Sequence, residues 1–321
     1  MPKVAVITRT RDRALFLRRA IQSVLNQTFE DWVLVVVNDG GAADDVDRVV
    51  AESAEVLRGR IKVLHHSASL GMEEASNHGI RESDSDYLVI HDDDDSWQPG
   101  FLAQTVAFLD DPHNARFGGV VTYWNVVQER VENGRIVVER EDAGDPRLFD
   151  LSLLYLAAKP HFPPISFLYR RKALSEVGLY RAENLVVGDR EFNFRFFLRH
   201  PVGVIPGMLA NYHLRPGVQA GQQGNSVVTE KTRIFSCISE LNDEYLRRDL
   251  ERGNVGMGFL MSLAPVVREE GGRAMEHLEA IRQHLWSIEQ LLKSVETKLN
   301  NIDGYLFKAA NLFKRLPGFR H

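Results

Sequence analysis

Four consecutive aspartates, Asp92 to Asp95, follow an apolar run in "DYLVIHDDDDSWQPG". Carboxylates packed this closely repel one another unless water, a donor or a cation neutralises them, and a divalent cation does so best. Two readings are open for such a run. It can hold a metal ion that carries phosphates, or it can be a solvated loop capping the helix that opens at Pro99. An EF-hand is excluded: counted from Asp92, its sixth and twelfth places hold Trp97 and Ala103 instead of Gly and Glu. A glycine-rich phosphate turn is excluded too, because "TRTRDRA" after the first apolar run has no glycine, and no Walker loop occurs elsewhere. A nucleoside diphosphate would then have to be held by a metal on the acidic loop.

The elements that must position these aspartates can be read from hydrophobic period. "VAVIT" (4–8) and "WVLVVV" (32–37) are apolar throughout, as strands covered on both faces are. Between them Leu17, Ala20, Ile21, Val24 and Leu25 share one helical face, with Asp12 as N-cap. Val46, Val49, Val50 and Leu57 predict a second helix, "IKVLHH" (61–66) a third strand, "GMEEASNHGIRES" (71–83) a third helix and "DYLVIH" (86–91) a fourth strand. This is βαβαβαβ, an α/β doubly wound, mostly parallel, Rossmann-like sheet. Ligands of such sheets sit beyond the carboxyl ends of the strands, where Thr8 and Arg9, Asn38 and Asp39, His65 and His66, and the four aspartates converge. From Gly119 onward the pieces are strand-like, with a hairpin turn at Asn133-Gly134, and extend the sheet around an acceptor pocket. After residue 230 the pattern is helical, which sets a boundary near Glu230 between a domain at 1–230 and an extension at 231–321.

Composition narrows the function classes. With 44% hydrophobic residues and a net charge of -5, the chain has the balance of a globular protein, and no basic stripe marks its first two thirds for nucleic acid. Cys237 is the only cysteine, so neither a disulfide framework nor a cysteine zinc site is available. The opening "MPKVAVITRTRDR" lacks the pattern of a signal peptide and no run is long enough to span a membrane, so a cytoplasmic location is expected.

The succession "VAVITRTRDRALFLRRAIQSVLNQTFEDWVLVVVNDGG", "LGMEEASNHGI", "DYLVIHDDDDSWQPGFL" and "VVGDREFNFRFFLRH" resembles the GT-A-fold glycosyltransferases of family 2 over the first two thirds of the chain. The resemblance implies that Thr8, Arg9, Asp12 and Asp39 hold the nucleoside. Here the usual Asp-Asp-Gly-Ser reads Asn38-Asp39-Gly40-Gly41. It implies that Asp92 binds the ribose and that Asp94, with Asp95, binds Mn²⁺ or Mg²⁺ on the diphosphate. Asn77 matches the end of an Ala-Arg-Asn segment that reads Ala75-Ser76-Asn77 here, without the arginine. Asp189 takes the place of the catalytic base, with Gly188 where the family carries glutamate and Glu191 as a second carboxylate. The alternative for Asp189 is a plain N-cap. "NYHLRPGVQAGQQGNS" is similar to the family's closing loop and makes His213 a metal or diphosphate ligand, or a structural histidine. His161 and Phe162 fall where an acceptor would bind.

Taken together, the resemblance implies an inverting, metal-dependent transfer of a sugar from a nucleoside diphosphate to a glycan or lipid-linked acceptor. Two rivals remain: a sugar nucleotidyltransferase, and a non-catalytic sugar-nucleotide-binding or scaffold subunit. Toward the C-terminus Leu278, Ile281, Leu285, Ile288, Leu292, Val295, Leu299 and Ile302 alternate steps of three and four, and Leu306, Ala309, Phe313 and Leu316 keep that register. This heptad, about 275–316, predicts a coiled coil that makes a homo-oligomer or binds a partner helix. The basic and aromatic end "YLFKAANLFKRLPGFRH" suits a coiled coil or peripheral contact with the inner face of an anionic membrane.

Overall fold

The computed structural model describes residues 1–144, 151, 156, 162–183, 187–218, 224–225, 228, 230–256 and 278–295. The chain divides into two compact units, Met1–Leu241 and Asn242–His321.

In the first unit, β1 (Val4–Thr10) lies between β2 (Trp32–Asn38) and β4 (Tyr87–Ile90), with β3 (Ile61–His65) beyond β2, all parallel. Val4 to Ile7 and Leu34 to Val37 are all buried, which explains their unbroken apolar sequence: helices cover both faces. These helices are α1 (Ala14–Leu25), α2 (Ala43–Ala51, followed by a separate turn at Ala54–Leu57) and α3 (Met72–Arg81). α3 approaches the sheet so closely that a Cβ on Gly79 would lie 2.5 Å from Ile7 Cγ2. One expected cap is corrected. Asp12 does not cap α1; it sits at φ 54°, and its Oδ1 accepts the Ala42 N–H at 2.8 Å, tying the first loop to the start of α2.

The second half of the sheet is mixed. β5 (Ser96–Trp97), β6 (Gly119–Glu132), β7 (Arg135–Ala143), β8 (Phe167–Arg170) and β9 (Val202–Leu214) complete one nine-stranded sheet in the order β3-β2-β1-β4-β8-β6-β9-β5, with β7 on β6. The β6–β7 hairpin turns at Asn133 and Gly134, both at positive φ, as a two-residue turn of this sequence should. β5 pairs antiparallel with β9, so the acidic loop runs from the end of β4 straight into a strand held by the second half. After it comes α4 (Phe101–Asp110), whose Phe101 stacks on Trp97 with centroids 4.4 Å apart. α5 (Gly188–Arg199) buries Phe192 and Phe196 against Tyr169 of β8.

The division between the two units falls inside α6 (Lys231–Glu251), past the boundary expected near Glu230. Residues 278–295 are helical, with Leu278, Ile281, Leu285, Ile288, Leu292 and Val295 exposed. The heptad positions before and after it, the basic tail and His161 lie outside the described residues. No helix among the described residues is long and apolar enough to cross a membrane.

Candidate active site

Parallel packing brings the carboxyl ends of β1, β2 and β4 to one edge, and the polar residues gather there. Asp92 leaves β4 beside Arg9 of β1. The guanidinium grips both carboxylate oxygens, with Nε 2.7 Å from Oδ1 and Nη2 3.3 Å from Oδ2. Burial disfavours the Arg9 charge, but the Asp92 carboxylate outweighs it and raises the arginine's pKa. Arg9 Nη1 also donates to Ser76 Oγ at 3.1 Å. Ser76, at the position of the missing arginine, therefore receives the arginine of β1.

The other aspartates are paired as well. Thr10 Oγ1 meets Asp93 Oδ2 at 2.7 Å and Arg13 Nη1 donates to Asp93 Oδ1 at 3.2 Å. Asp94 Oδ2 collects Arg13 at 3.2 Å, Asn225 Nδ2 at 3.1 Å and the Arg215 guanidinium. Asp95 Oδ1 accepts the His213 backbone N–H at 2.9 Å, while its Oδ2 is buried with no partner among the described residues. Burial, then the charges of Asp94 and Asp92, push Asp95 well above the ordinary carboxylate range. Four like charges thus become tolerable through arginines and retained protons.

Behind the loop lies a charged hub that sequence reading missed. Glu129 of β6 is fully buried; it accepts from Arg19 Nη1 at 2.5 Å, Arg215 Nη1 at 2.6 Å and His213 Nδ1 at 2.8 Å. Burial would raise Glu129, but the donors His213 and Arg19 outweigh it and hold its pKa down at about 2. With Nδ1–H on Glu129, His213 Nε2 accepts from Ser96 Oγ at 2.8 Å, so both ring nitrogens are engaged. The sequence signal was a carboxylate at the inward spacing of Val127, two residues away, in a strand whose other acid, Glu132, is exposed. The Arg18-Arg19 pair carried another: Arg18 turns outward to Glu52 and Arg19 inward to Glu129.

These partners decide how a divalent cation would fit. Among the described residues no three carboxylate or imidazole groups converge, and neither Asp95 nor His213 presents a free ligand atom to the edge. Asp94 does: among the described residues Oδ2 takes three donors and Oδ1 takes none. One open carboxylate oxygen suits a hydrated ion that arrives with a diphosphate, since Mg²⁺ is commonly held by one or two carboxylates plus phosphates and water.

At the end of β2, Asp39 accepts from Ser69 Oγ (2.6 Å), Leu70 N–H (2.7 Å), Gly71 N–H (3.0 Å) and His66 Nδ1 (2.8 Å). Burial opposes ionisation there, and these donors overcome it and lower the pKa. His66 Nε2 continues to His78 Nδ1 at 2.7 Å. Asp39 therefore clamps the 66–71 loop with all four of its acceptor positions. Asn77 is a tie of another kind: its amide exchanges two hydrogen bonds with the Tyr180 backbone, at 2.8 and 2.9 Å. Thr8 is buried and its hydroxyl has no partner among the described residues. Arg9, Asp92, Asp94 and Asp39 reach the edge; Thr8 and Asn77 face the interior.

Asp189 stands in the first turn of α5, with Oδ1 on the Arg190 N–H at 2.8 Å. Burial raises its pKa, against the pull of that N–H and of Arg9 and with the push of Asp92. Glu191 is committed elsewhere, forming a bidentate pair with Arg195 at 2.7 Å on each arm. Phe162 is buried against Phe167, with centroids 5.4 Å apart.

Known proteins are similar to this chain in sequence and in fold. A Nostoc protein called an uncharacterized glycosyltransferase is 29% identical over 178 residues, covering 54% of this chain and 53% of its own. The GalNAc(5)-diNAcBac-PP-undecaprenol beta-1,3-glucosyltransferase of Campylobacter jejuni is 30% identical over 119 residues, covering 37% and 38%. The match thus spans about half of the first of these relatives and less of the second. Among solved structures, Staphylococcus aureus TarS 1-349 with UDP-GlcNAc superposes with a TM-score of 0.53 at 18% identity, over 68% of this chain and 60% of that one. The mannosyltransferase PcManGT of Pyrobaculum calidifontis, with GDP-Man and Mn²⁺, gives 0.50 at 19%, over 65% and 56%. At such identities the shared property is the fold, the expected doubly wound GT-A sheet. The sequence model described as glycosyl transferase family 2 matches residues 4–178, more than half of the chain, and this protein belongs to that family.

Proposed function

We propose that the chain transfers a sugar, with inversion, from a nucleoside diphosphate donor to a hydroxyl of a growing glycan, either a surface polysaccharide or a lipid-linked oligosaccharide. The observation that carries this reading is Asp189: a half-buried carboxylate in the first turn of α5 with a raised pKa, electrostatically coupled to Asp92 of the acidic loop and to Arg9. A general base needs basicity above that of an ordinary aspartate and a place beside the donor; the raised pKa supports the first and the electrostatic coupling to Arg9 and Asp92 supports the second. It takes the proton of the acceptor hydroxyl as that oxygen bonds to the anomeric carbon. The bond from that carbon to the diphosphate oxygen breaks on the opposite face. Arg9 fixes Asp92 for the ribose, and Asp39 holds the 66–71 loop against the base. Asp94 Oδ1 would hold Mn²⁺ or Mg²⁺, which supplies charge compensation for the departing diphosphate. The donor class is supported by the nucleotide-sugars named with TarS and PcManGT, and the lipid-linked acceptor by the name of the Campylobacter relative.

Residues 1–230 would form the transferase domain and 231–321 a helical extension. Self-association through that extension is supported by the apolar seam from Leu278 to Val295, which is exposed along its whole length. Calorimetric titration with UDP, GDP, dTDP and CDP, each with Mn²⁺ and with EDTA, tests the donor reading. One nucleotide should bind, more tightly with metal, and Asp94→Ala should remove the metal effect. Binding of none of the four would sink it. Sedimentation of the full chain and of a chain ending at residue 256 tests the seam, and a full chain that sediments as a monomer would remove it.

A further inference from the structure

Gly188 opens α5 at ordinary backbone angles, so its lack of a side chain has a spatial cause. A Cβ there would lie 2.5 Å from both Glu73 Cγ and Glu73 Oε1, and 2.8 Å from Cδ. The side chain of Glu73, from the first turn of α3, thus fills the space into which a side chain at position 188 would project. Glu73 is only 7% exposed, and no side-chain donor among the described residues bonds to its carboxylate. Its charged surroundings are Arg9, which favours ionisation, and Asp189 and Asp92, which oppose it. A buried carboxylate whose donor is its own backbone N–H, with no side-chain donor beside it, is unfavourable by itself. Such a group persists where something absent from the free protein supplies the donors. Beside a general base for hydroxyl attack, the donors of that chemistry are the other hydroxyls of the acceptor.

We propose that Glu73 is a second carboxylate of the acceptor site, relocated from position 188 to α3, which accepts a hydrogen bond from an acceptor hydroxyl neighbouring the one Asp189 deprotonates. The inference rests on the transferase reading and specifies its acceptor as a polyol with adjacent hydroxyls. Glu73 exchanges no proton with the reacting oxygen. It orients the acceptor, so its loss should appear in the acceptor's kinetics and leave the donor's intact.

The test uses the full chain with Mn²⁺, UDP-GlcNAc or GDP-Man as donor and a panel of octyl glycosides as acceptors, following release of nucleoside diphosphate. Glu73→Gln keeps shape and removes charge. It should lower kcat/KM for the glycoside on the order of 10- to 100-fold, the worth of one hydrogen bond to a charged group, with donor affinity and slow donor hydrolysis by water unchanged. A swap sharpens the result. Gly188→Glu alone should lower the melting temperature because two side chains compete for one space. Adding Glu73→Ala should restore both the melting temperature and part of the lost acceptor kcat/KM, with the carboxylate now supplied from α5. If Glu73→Gln matches wild type toward every glycoside, Glu73 merely fills the notch and the proposal is wrong. It is also wrong if donor affinity falls in step, because the residue then acts through Arg9. A wild-type chain that releases nucleoside diphosphate from neither donor, with any glycoside or with water, would bring down the transferase reading, and this one with it.

Discussion

The acidic loop and the start of α5 treat their carboxylates in opposite ways. At the loop, Asp92, Asp93 and Asp94 each meet an arginine, and Glu129 behind them meets two arginines and a histidine. At α5, Asp189 has a backbone N–H and Glu73 has no side-chain donor among the described residues. Pairing makes a carboxylate a good anchor and a poor base; withholding partners does the reverse. The same residue type therefore holds the loop in place on one side and is kept ready for proton transfer on the other.

The largest expected effect tests the unpaired side. Asp189→Asn keeps shape and removes the base, and kcat should fall on the order of 10²- to 10⁴-fold, while calorimetric affinity for the nucleotide stays at the wild-type value. Stability should move the other way. The folded-state pKa of Asp189 is raised, so at neutral pH the fold carries a charge it disfavours, and the amide relieves it. A variant less active and at least as resistant to urea fits the contrast. A loss of both would mean that Asp189 is chiefly a helix cap.

Next comes the paired side. Glu129→Gln leaves Arg19 and Arg215 buried without their carboxylate, and urea unfolding should show a loss of about 3 to 5 kcal/mol, the penalty for removing one partner of a buried ion pair. Because Arg215 and His213 also touch Asp94 and Asp95, nucleotide affinity in Mn²⁺ should weaken along with stability. Equal stability of this variant and wild type would erase the distinction between the two regions.

How much of this was legible in sequence follows from the distance over which each signal acts. The four parallel strands declared themselves because covering both faces demands unbroken apolar runs, and their ends then placed Arg9, Asp39 and Asp92 on one edge. The long helix from Val46 to Leu57 was read through a break, because Glu52 and Ser53 do not interrupt the apolar period even though the helix is divided there. Asp12, Asn77 and His213 were read by type, as a cap or as ligands, while their actual partners are Ala42, the Tyr180 backbone and Glu129. Those contacts join residues far apart in the chain, and no local period reports them. Glu129 itself needed the register of β6 against β9, which only the folded sheet supplies.

The smallest effect is also the most discriminating, because the two regions should give pH slopes of opposite sign. Glu129 has a folded pKa of about 2 against an ordinary 4.5, so its contribution to stability is complete above 4.5 and is lost as pH falls from there through 2. Asp189 has a folded pKa raised from 3.8, so its effect is opposite: stability declines as pH rises from 3.8 through the raised value. Each group can tilt the curve by about 1.4 kcal/mol per pH unit at most, one proton's worth. Urea midpoints measured every half unit should therefore lose part of their acid-side fall in Glu129→Gln and lose a decline above pH 3.8 in Asp189→Asn. His91, buried and neutral with its pKa lowered to about 4, adds a common fall between pH 6.5 and 4 to every variant and cancels in the differences. Difference curves of the same sign for the two substitutions would show that the carboxylates at the loop and at α5 share one electrostatic environment, and the division of labour between anchor and base would not hold.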